Sequence, residues 1–323
     1  MKKAKRWNEW LWEIWCVISV IGIWPRHIEP RLLAVTHHKL PISNLPPELE
    51  GLKIVQFSDL HWNHDFSTSF CKKLTRKINR LNPDFIFFTG DFLCRSLLKN
   101  PLKLRQLLQS FRATSGCFAI LGNHDYAQFV TVNAQGEYDV EKPDTQPTIL
   151  KGFKRLFRKK ILKDQVTERA QQVLFHQPLM DLIEQTQFQL LHNSTQLVSC
   201  RKSWLNVCGL GEYSLGRFDP QRAFQNYQTN YPGIVLSHHP DTLMILKDYP
   251  GDIILSGHTH GGQVNLPFMW KRFTSIKYQQ FKRGLKRLGQ KWVYINRGLA
   301  SVVPFRWFAM PELTCITLQR EKQ

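Results

Sequence analysis

Eight Asp, Asn and His side chains in this chain of 323 residues each follow a short apolar run. They are Asp59, His61, Asp91, Asn123, His124, His238, His258 and His260. Carboxylate and imidazole groups suit manganese, iron or zinc, and the absence of Cys from the set argues against a structural thiolate zinc site. Two ions a few ångströms apart need a bridging carboxylate, for which Asp91 is the natural candidate. The residues therefore predict a site for two divalent metal ions, with manganese preferred to iron or zinc.

Short strands are the elements that must position these side chains. Apolar runs at 52–57, 85–88, 117–121, 204–210, 234–236 and 253–255 have the length and composition of buried strands. Apolar residues at helical spacing lie at 69–81 and 102–111. Strand, polar turn and helix follow one another repeatedly. This order predicts an α/β fold with the ligands collected at the strand ends.

Spacing within the polar turns suggests how the ligands pair. In an extended segment, residues i and i+2 point to the same side. Asp59 with His61, and His258 with His260, are therefore each expected to form a chelating pair. His239 directly follows a candidate ligand, and strand alternation predicts that its side chain points elsewhere.

Five blocks of residues carry a family resemblance. They are Asp59-Leu-His61, Gly90-Asp91, Gly122-Asn-His-Asp125, Ser237-His238 and Gly257-His-Thr-His-Gly-Gly-Gln263. In this order they resemble the blocks of the calcineurin-like metallophosphoesterase family, from about residue 50 to the C-terminus apart from an insert near 128–175. The resemblance implies a four-layer αββα sandwich with the metals at the strand ends of two sheets.

The resemblance also implies a role for each site residue. One metal would be held by Asp59, His61, Asp91 and His260, and the other by Asp91, Asn123, His238 and His258. His124 would lie near the leaving group as a catalytic residue, and Asp125 would orient it. The implied reaction is in-line attack on phosphorus by a hydroxide that bridges the two metals. Glu212 and Tyr213 are further candidates for substrate contacts.

The N-terminus has a composition of its own. Four basic residues lie within residues 1–6, and an apolar, Trp-rich run follows to Trp24. A spanning helix needs about 20 apolar residues, whereas this run is shorter and contains Glu13. Basic residues and tryptophans suit the headgroup boundary of a bilayer. We therefore expect a membrane-anchoring segment at 1–24, a linker at 25–48 and the catalytic domain at 49–323, although a helix packed on the domain is an alternative.

The insert contains a basic amphipathic segment. Apolar residues between Ile149 and Leu162 recur at helical spacing with Lys and Arg between them. One interpretation is a solvated basic face packed on the domain. The other is a cap or membrane-docking element that contacts the substrate through Lys154, Arg155, Arg158 and Lys159.

The formal net charge of +19 indicates anionic partners. Within the family, the Gly257–Gln263 block and the hydrophobic N-terminus resemble a membrane-linked bacterial branch. The very basic, Trp-rich composition and the basic insert resemble those of the enzymes that hydrolyse UDP-2,3-diacylglucosamine to UMP and 2,3-diacylglucosamine 1-phosphate in lipid A synthesis. The expected partners are thus a lipid-linked nucleotide sugar and an anionic membrane surface.

Two other substrate classes remain open. A secreted or membrane-linked phosphodiesterase of the envelope would need the domain outside the membrane, but seven cysteines without CxxC spacing favour a reducing compartment. Nucleic acid is the other polyanion, but a nucleic-acid groove would more often pair basic residues with stacking aromatics. No nucleic-acid partner is therefore expected. The domain is predicted on the cytoplasmic side of the inner membrane, attached peripherally or through its N-terminus.

Overall fold

The computed structural model describes residues 2–63, 66–141, 162–265, 276–303 and 305–321. The strands are β1 Ala34–Ile42, β2 Lys53–Phe57, β3 Phe85–Thr89, β4 Gly116–Ile120, β5 Val130–Val132, β6 Tyr138–Val140, β7 Phe188–Leu190, β8 Ser194–Cys200, β9 Ser203–Gly209, β10 Gly233–Leu236, β11 Ile253–Ser256, β12 Gly284–Leu288, β13 Lys291–Ile295 and β14 Glu312–Arg320. The helices are α1 Lys2–Ile18, α2 Thr68–Arg80, α3 Pro101–Gln109, α4 Glu168–Gln171, α5 Gln177–Glu184, α6 Pro220–Ala223 and α7 Leu243–Leu246.

Two mixed sheets of six strands form the domain. The first has the order β1-β14-β2-β3-β4-β7, in which only the β14–β2 pair is antiparallel. The second has the order β12-β13-β11-β10-β9-β8, with antiparallel pairs at its two ends. Parallel neighbours place their carboxyl ends at the same edge, so the residues after β2, β3 and β4 meet, as do those after β10 and β11.

Three hydrophobic clusters define the layers. The middle cluster joins the two sheets, with Phe87 from the first and Leu255 from the second among its members. The outer face of the first sheet packs on α2, α3 and α5, for example through Leu74. The outer face of the second sheet packs on α6 and α7, for example through Leu243. The observed architecture is a mixed α/β fold in which two largely parallel sheets lie between helices.

The segment predicted as a linker, 25–48, contains a strand. β1 pairs in parallel with β14 along its whole length, from Ala34 opposite Glu312 to Ile42 opposite Arg320. Its sequence contains two histidines, a lysine and Pro41, so it lacks the apolar pattern on which strands were recognised. Proline is tolerated in this strand because an edge strand needs hydrogen bonds on one side only.

The N-terminal residues form the helix α1, followed by a π-helical stretch, Ser19–Ile28. Large apolar side chains of α1 are exposed; they are Trp7, Trp10, Leu11, Trp12, Ile14, Trp15, Val17 and Ile18. Among the described residues, no helix combines the length and the apolar character needed to cross a bilayer.

The insert also begins with strands, although the sequence pattern predicts none between 128 and 175. β5 and β6 form a short antiparallel hairpin, with Val130 opposite Val140. Three residues per strand are too few for a periodic pattern to be recognised. The residues 142–161, which include most of the basic amphipathic segment, lie outside the described residues.

Candidate active site

The predicted ligands converge where the carboxyl ends of the two sheets meet. Asp59, Asp91 and Asn123 follow β2, β3 and β4 of the first sheet, whereas His238 and His258 follow β10 and β11 of the second. Hydrogen bonds join the two edges. For example, the Nε2 amide of Gln56 donates to the carbonyl of Ser256 at 3.0 Å. The structure therefore brings all seven predicted ligands to one place from two separate sheets.

Asp59, His61 and His260 form one group of potential ligands. The Nε2 atoms of the two histidines lie 3.2 Å apart. Oδ1 of Asp59 lies 3.9 Å from Nε2 of His61 and 3.8 Å from Nε2 of His260. One nitrogen or oxygen atom from each side chain falls within 4.8 Å of the others. Two imidazole nitrogens and a carboxylate converge in this way when they share a cation.

Asp91 lies between this group and the ligands of the second sheet. Its Oδ2 atom is 3.6 Å from Nε2 of His61 and 3.4 Å from Nε2 of His238. The carboxylate therefore faces ligands of both expected metals. Nδ1 of His238 bonds with the carbonyl of Thr89 at 2.6 Å. This bond assigns the proton to Nδ1 and leaves Nε2, which has no hydrogen-bond partner among the described residues, as the ligand atom.

Asn123 and His258 complete the side that faces the second sheet. Oδ1 of Asn123 lies 3.2 Å from Nδ1 of His258. The amide nitrogen of Asn123 donates to the carbonyl of Val130 at 2.7 Å, which orients Oδ1 towards the site. The hairpin β5–β6 of the insert thus holds a ligand of the centre in place. Nothing in the sequence pattern indicated this contact.

The backbone at the ligands differs from the extended form that was expected. Asp59, His61, Asp91, His258 and His260 all have positive φ, between 42° and 67°. Non-glycine residues rarely adopt this left-handed conformation, and such residues cluster at functional sites. Asp59 and His61 therefore lie together because of tight turns, and strand alternation was the wrong reason to expect it. The predicted pairing of His258 with His260 is not observed, because the His260 ring contacts His61 and the His258 ring contacts Asn123.

Glycines allow these turns to approach one another. Gly90, with a φ of +94°, precedes Asp91. A Cβ atom at Gly90 would lie 2.6 Å from Nδ1 of His238 and 2.8 Å from the backbone nitrogen of Gly122. Any side chain there would push the two sheet edges apart, so this position requires glycine.

Burial decides the charge of most site residues. It lowers the pKa of His61 to about 4 and that of His258 and His260 well below the usual range. Burial also raises the pKa of Asp59 to about 7. Neutral imidazoles are the form that binds metal. The donor set therefore fits divalent ions, and Asp59, His61, Asp91, Asn123, His238, His258 and His260 could hold them.

Asp91 and His238 are shifted in the opposite direction to their neighbours. Although burial opposes ionisation of Asp91, the adjacent His238 holds the pKa of this carboxyl well below its usual range. Likewise, burial opposes protonation of His238, but Asp91 raises the pKa of this imidazole well above its usual value. The pair holds a proton that a metal ion must displace.

His124 lies at the mouth of the site. Its Nδ1 atom accepts a hydrogen bond from the backbone N–H of Arg95 at 2.8 Å. In the neutral ring, the proton is therefore on Nε2. The carbonyl of His124 accepts from the backbone N–H of Ser96 at 3.2 Å. The backbone N–H of His124 also donates to Oδ1 of Asp91 at 3.0 Å. Three bonds thus fix the residue, with Nε2 left as a donor for a ligand.

Asp125 contacts a different group from the one expected. Its carboxylate accepts hydrogen bonds from the backbone N–H groups of Asp91, Leu93 and Gly122, at 2.8, 2.9 and 3.0 Å. These bonds tie the turn after β3 to the turn after β4, while the imidazole of His124 is held by Arg95. Asp125 therefore braces the ligand turns, and it does not orient His124 through a hydrogen bond in this structure.

A cleft of about 970 Å³ begins next to His124. Phe129, which lines it, packs on the His124 ring with a centroid distance of 3.9 Å. The lining combines apolar side chains, including Leu97, with two arginines. Arg95 pairs with Glu141 at 3.6 Å across the cleft, and both side chains are partly exposed. An amphipathic cleft therefore lies beside His124.

A buried polar network supports the second-sheet side of the centre. His239 packs on the ring of His258 with a centroid distance of 4.2 Å, and its Nε2 lies 3.1 Å from the hydroxyl of Tyr138 on β6. His239 therefore supports the predicted ligand His258, whereas strand alternation predicted that its side chain would point elsewhere. Glu212 is buried and caps its own turn through Ser214. The predicted substrate contacts Lys154, Arg155, Arg158 and Lys159 lie outside the described residues.

Comparison with known proteins agrees with this geometry. Residues 52–262 match the calcineurin-like phosphoesterase family. The chain is 39% identical over 307 residues to the UDP-2,3-diacylglucosamine pyrophosphatase LpxG of Chlamydia muridarum, with 91% of each chain covered. It is 36% identical over 303 residues to the protein of the same name from Chlamydia trachomatis, covering 90% of this chain and 91% of that one. Phosphodiesterase YaeI of Escherichia coli is 24% identical over 294 residues, 90% of each chain.

The matched region contains all seven predicted metal ligands as well as His124 and Asp125, since they lie between residues 59 and 260. A buried Asp and His cluster at the carboxyl ends of two sheets fits a divalent metal site. The chain therefore belongs to the calcineurin-like phosphoesterase family and is a metal-dependent hydrolase of phosphoester or diphosphate bonds.

Proposed function

We propose that this enzyme hydrolyses the diphosphate of UDP-2,3-diacylglucosamine to UMP and 2,3-diacylglucosamine 1-phosphate, a step of lipid A synthesis. The observation that carries the proposal is the 39% identity to a pyrophosphatase of that name over 91% of both chains. This similarity covers more of the chain than residues 52–262, the region that matches the family. Fold alone would not choose the substrate, because the same fold serves many reactions.

The chemistry follows from the seven ligands and His124. Two divalent ions bound there would activate water as the nucleophile and neutralise charge on the phosphoryl oxygens, and manganese is the proposed metal. Asp91 faces ligands of both sites and would hold the ions close together. His124, with its proton on Nε2, would donate a hydrogen bond to the leaving oxygen. The left-handed turns preorganise the ligands before substrate arrives.

The cleft beside His124 is the proposed site of the acylated sugar phosphate. Attack of water on the phosphorus of the UMP half would break its bond to the bridging oxygen, which then leaves with the acylated sugar phosphate. Since His124 would face that leaving oxygen, the acylated half would extend past it. Leu97, Phe129 and Val140 provide apolar contacts for the acyl chains. Arg95 and Arg169 line the same cleft and can exchange their carboxylate partners, Glu141 and Asp139, for a phosphate oxygen.

The N-terminal helix would hold the enzyme at the lipid surface. Its exposed tryptophans and aliphatic residues form an unpartnered apolar face, which suits the interfacial region of a bilayer. We propose that the protein is attached to the inner membrane through this helix with the catalytic domain on the cytoplasmic side. Lys154, Arg155, Arg158 and Lys159 remain proposed contacts to the anionic substrate or membrane.

Mn²⁺-dependent hydrolysis of UDP-2,3-diacylglucosamine in detergent micelles is the test. An aryl phosphodiester and a short DNA duplex are assayed in parallel, and EDTA-treated enzyme is the control. The proposal expects rapid release of UMP from the lipid and slow turnover of the other two. Turnover of the aryl diester alone would instead support the alternative of an envelope phosphodiesterase; YaeI, to which the chain is similar, is named as a phosphodiesterase. Preferential cleavage of the DNA would support a nuclease.

A further inference from the structure

Arg306 is a fully buried arginine next to the metal site. Its Nη1 atom donates to the carbonyls of Arg297 and Ala309, each at 2.8 Å. Its Nη2 atom donates to the carbonyl of Ala300. A guanidinium presents its donors in a rigid planar fork, so three carbonyls bound at once fix the loop around it. Arg306 therefore determines where the Ala300 carbonyl lies.

The Ala300 carbonyl also contacts a metal ligand. Nδ1 of His260 bonds to it at 2.9 Å, which places the imidazole proton on Nδ1 and leaves Nε2 for the metal. The backbone of the same loop holds another ligand, because the N–H of Ala300 donates to the carbonyl of Asp59 at 2.9 Å. Such contacts set the orientation and tautomer of a ligating histidine. A displacement of Arg306 would therefore shift Ala300, whose backbone groups contact both His260 and Asp59.

The N-terminal segment holds Arg306 from the opposite side. The carbonyl of Pro25 accepts from the backbone N–H of Arg306 at 2.8 Å. Glu29 is 3% exposed, and its carboxylate accepts from the backbone N–H groups of Phe308 and Ala309 and from the indole of Trp24. Residues 24–29 therefore bind the loop that carries Arg306, and the π-helical stretch Ser19–Ile28 connects them to the exposed apolar helix α1.

We propose that Arg306 is a positioning residue that couples the segment 24–29 to the metal site through the Ala300 carbonyl and His260. The segment is then a structural part of the metal centre, and it links the exposed N-terminal helix to the affinity for metal. This inference concerns assembly of the centre and holds whichever phosphoester is the substrate.

Direct Mn²⁺ binding to the full-length, metal-stripped protein tests the coupling without any substrate. Isothermal titration calorimetry gives the dissociation constants for Mn²⁺, and the electron paramagnetic resonance spectrum of bound Mn²⁺ reports whether two ions interact. The variants are Arg306→Met, Arg306→Lys and the milder Glu29→Gln. Asp84→Asn is the matched control, because Asp84 is a buried carboxylate that bonds to Lys53 and Arg201 at the amino end of β3, away from the centre.

Arg306→Met is expected to weaken the binding of one Mn²⁺ by about ten-fold or more, the usual effect of losing a partner that orients a ligand, and to abolish the signal from interacting ions. Arg306→Lys should weaken Mn²⁺ binding similarly, since a single ammonium nitrogen does not reproduce the planar fork of two nitrogens that contacts these carbonyls. Glu29→Gln should weaken it by about three-fold, an estimate for losing a charge-assisted bond. Asp84→Asn should lower the melting temperature only.

Several outcomes would overturn the proposal. If the Glu29→Gln variant binds Mn²⁺ with an affinity within two-fold of the wild type, the proposed coupling between the N-terminal segment and the metal site is wrong. This outcome is informative even if the Arg306 variants fail to fold. Full affinity in Arg306→Lys would assign the role of Arg306 to charge alone. An equal loss of affinity in Asp84→Asn would show that the binding follows global stability. None of these results depends on the substrate.

Discussion

Nε2 of His238 lies 3.4 Å from Oδ2 of Asp91, and the two residues come from different sheets. The contact joins the turn after β10 to the turn after β3. The Asp91 carboxylate, which also faces His61, therefore lies against His238, a predicted ligand that follows a strand of the second sheet. The predicted ligands therefore converge only when the two sheets pack with their carboxyl ends aligned, and Asp91 is the carboxylate that contacts ligands from both sheets.

Asp91→Ala should abolish hydrolysis while leaving the protein folded. Loss of this carboxylate removes the group that faces both halves of the centre, so fewer than two Mn²⁺ ions should bind per chain. Metal content by mass spectrometry and circular dichroism would be measured beside activity. Near-normal turnover in a variant with native circular dichroism would contradict the two-metal site.

Mn²⁺ affinity should fall as the pH decreases from 8 to 6. Burial raises the pKa of Asp59 to about 7, and Asp91, against the opposing effect of burial, raises the pKa of His238 well above its usual value. Both groups hold a proton at low pH that the metal must displace. The affinity should therefore change by about ten-fold per pH unit for each proton displaced. Calorimetry in buffers of different ionisation enthalpy counts these protons, and an affinity constant across this range would contradict the expectation.

Asp125→Ala should lower the free energy of unfolding of the metal-free protein by at least about 3 kcal/mol. Three buried backbone N–H groups would lose their acceptor, at about 1–3 kcal/mol each. Urea unfolding measures the change, and Asp125→Asn, which keeps one acceptor oxygen, should lose less. If the stability stays unchanged while kcat falls, Asp125 orients His124 after all.

Leu97→Asp should lower the ratio of kcat/KM for the lipid substrate to kcat/KM for the aryl phosphodiester by about ten-fold. Leu97 is 54% exposed in the cleft, and transferring such a side chain from water to an acyl chain stabilises by about 1.5 kcal/mol. The matched control is Leu102→Asp, because Leu102 is exposed on α3 outside the cleft. The same ratio in both variants would exclude the cleft as the site of the acyl chains.

Trp12→Glu combined with Trp15→Glu should weaken binding to anionic phospholipid vesicles by about ten-fold or more. Both indoles are more than half exposed on α1, and burying them in the interface would stabilise the bound state by a few kcal/mol. Vesicle sedimentation measures the partition, with Trp204→Glu on β9 as the control for an exposed tryptophan elsewhere. Unchanged sedimentation of the double variant would show that a surface other than α1 binds the vesicles.

The site residues could be predicted because each lies directly after an apolar run. Asp91 and His238 were recognised from their own turns, without knowledge of any contact between them. Short buried strands are encoded locally, in the apolar side chains that a sheet interior requires. β1 was not predicted because Pro41 and its polar residues fit only an edge strand, and its partner β14 lies some 278 positions later in the chain.

The sequence by itself determined the ligand types, their order and the strands that present them, since these depend on neighbouring residues. Only the tertiary structure decided which nitrogen of His238 and of His260 is left for a metal, which turns are left-handed, and that Asp125 holds two of the ligand turns together. It also brought Glu29 to Ala309, 280 positions apart, and Arg306 to the carbonyl that His260 contacts. These contacts arise from packing of distant segments, and no local pattern of residue types encodes them.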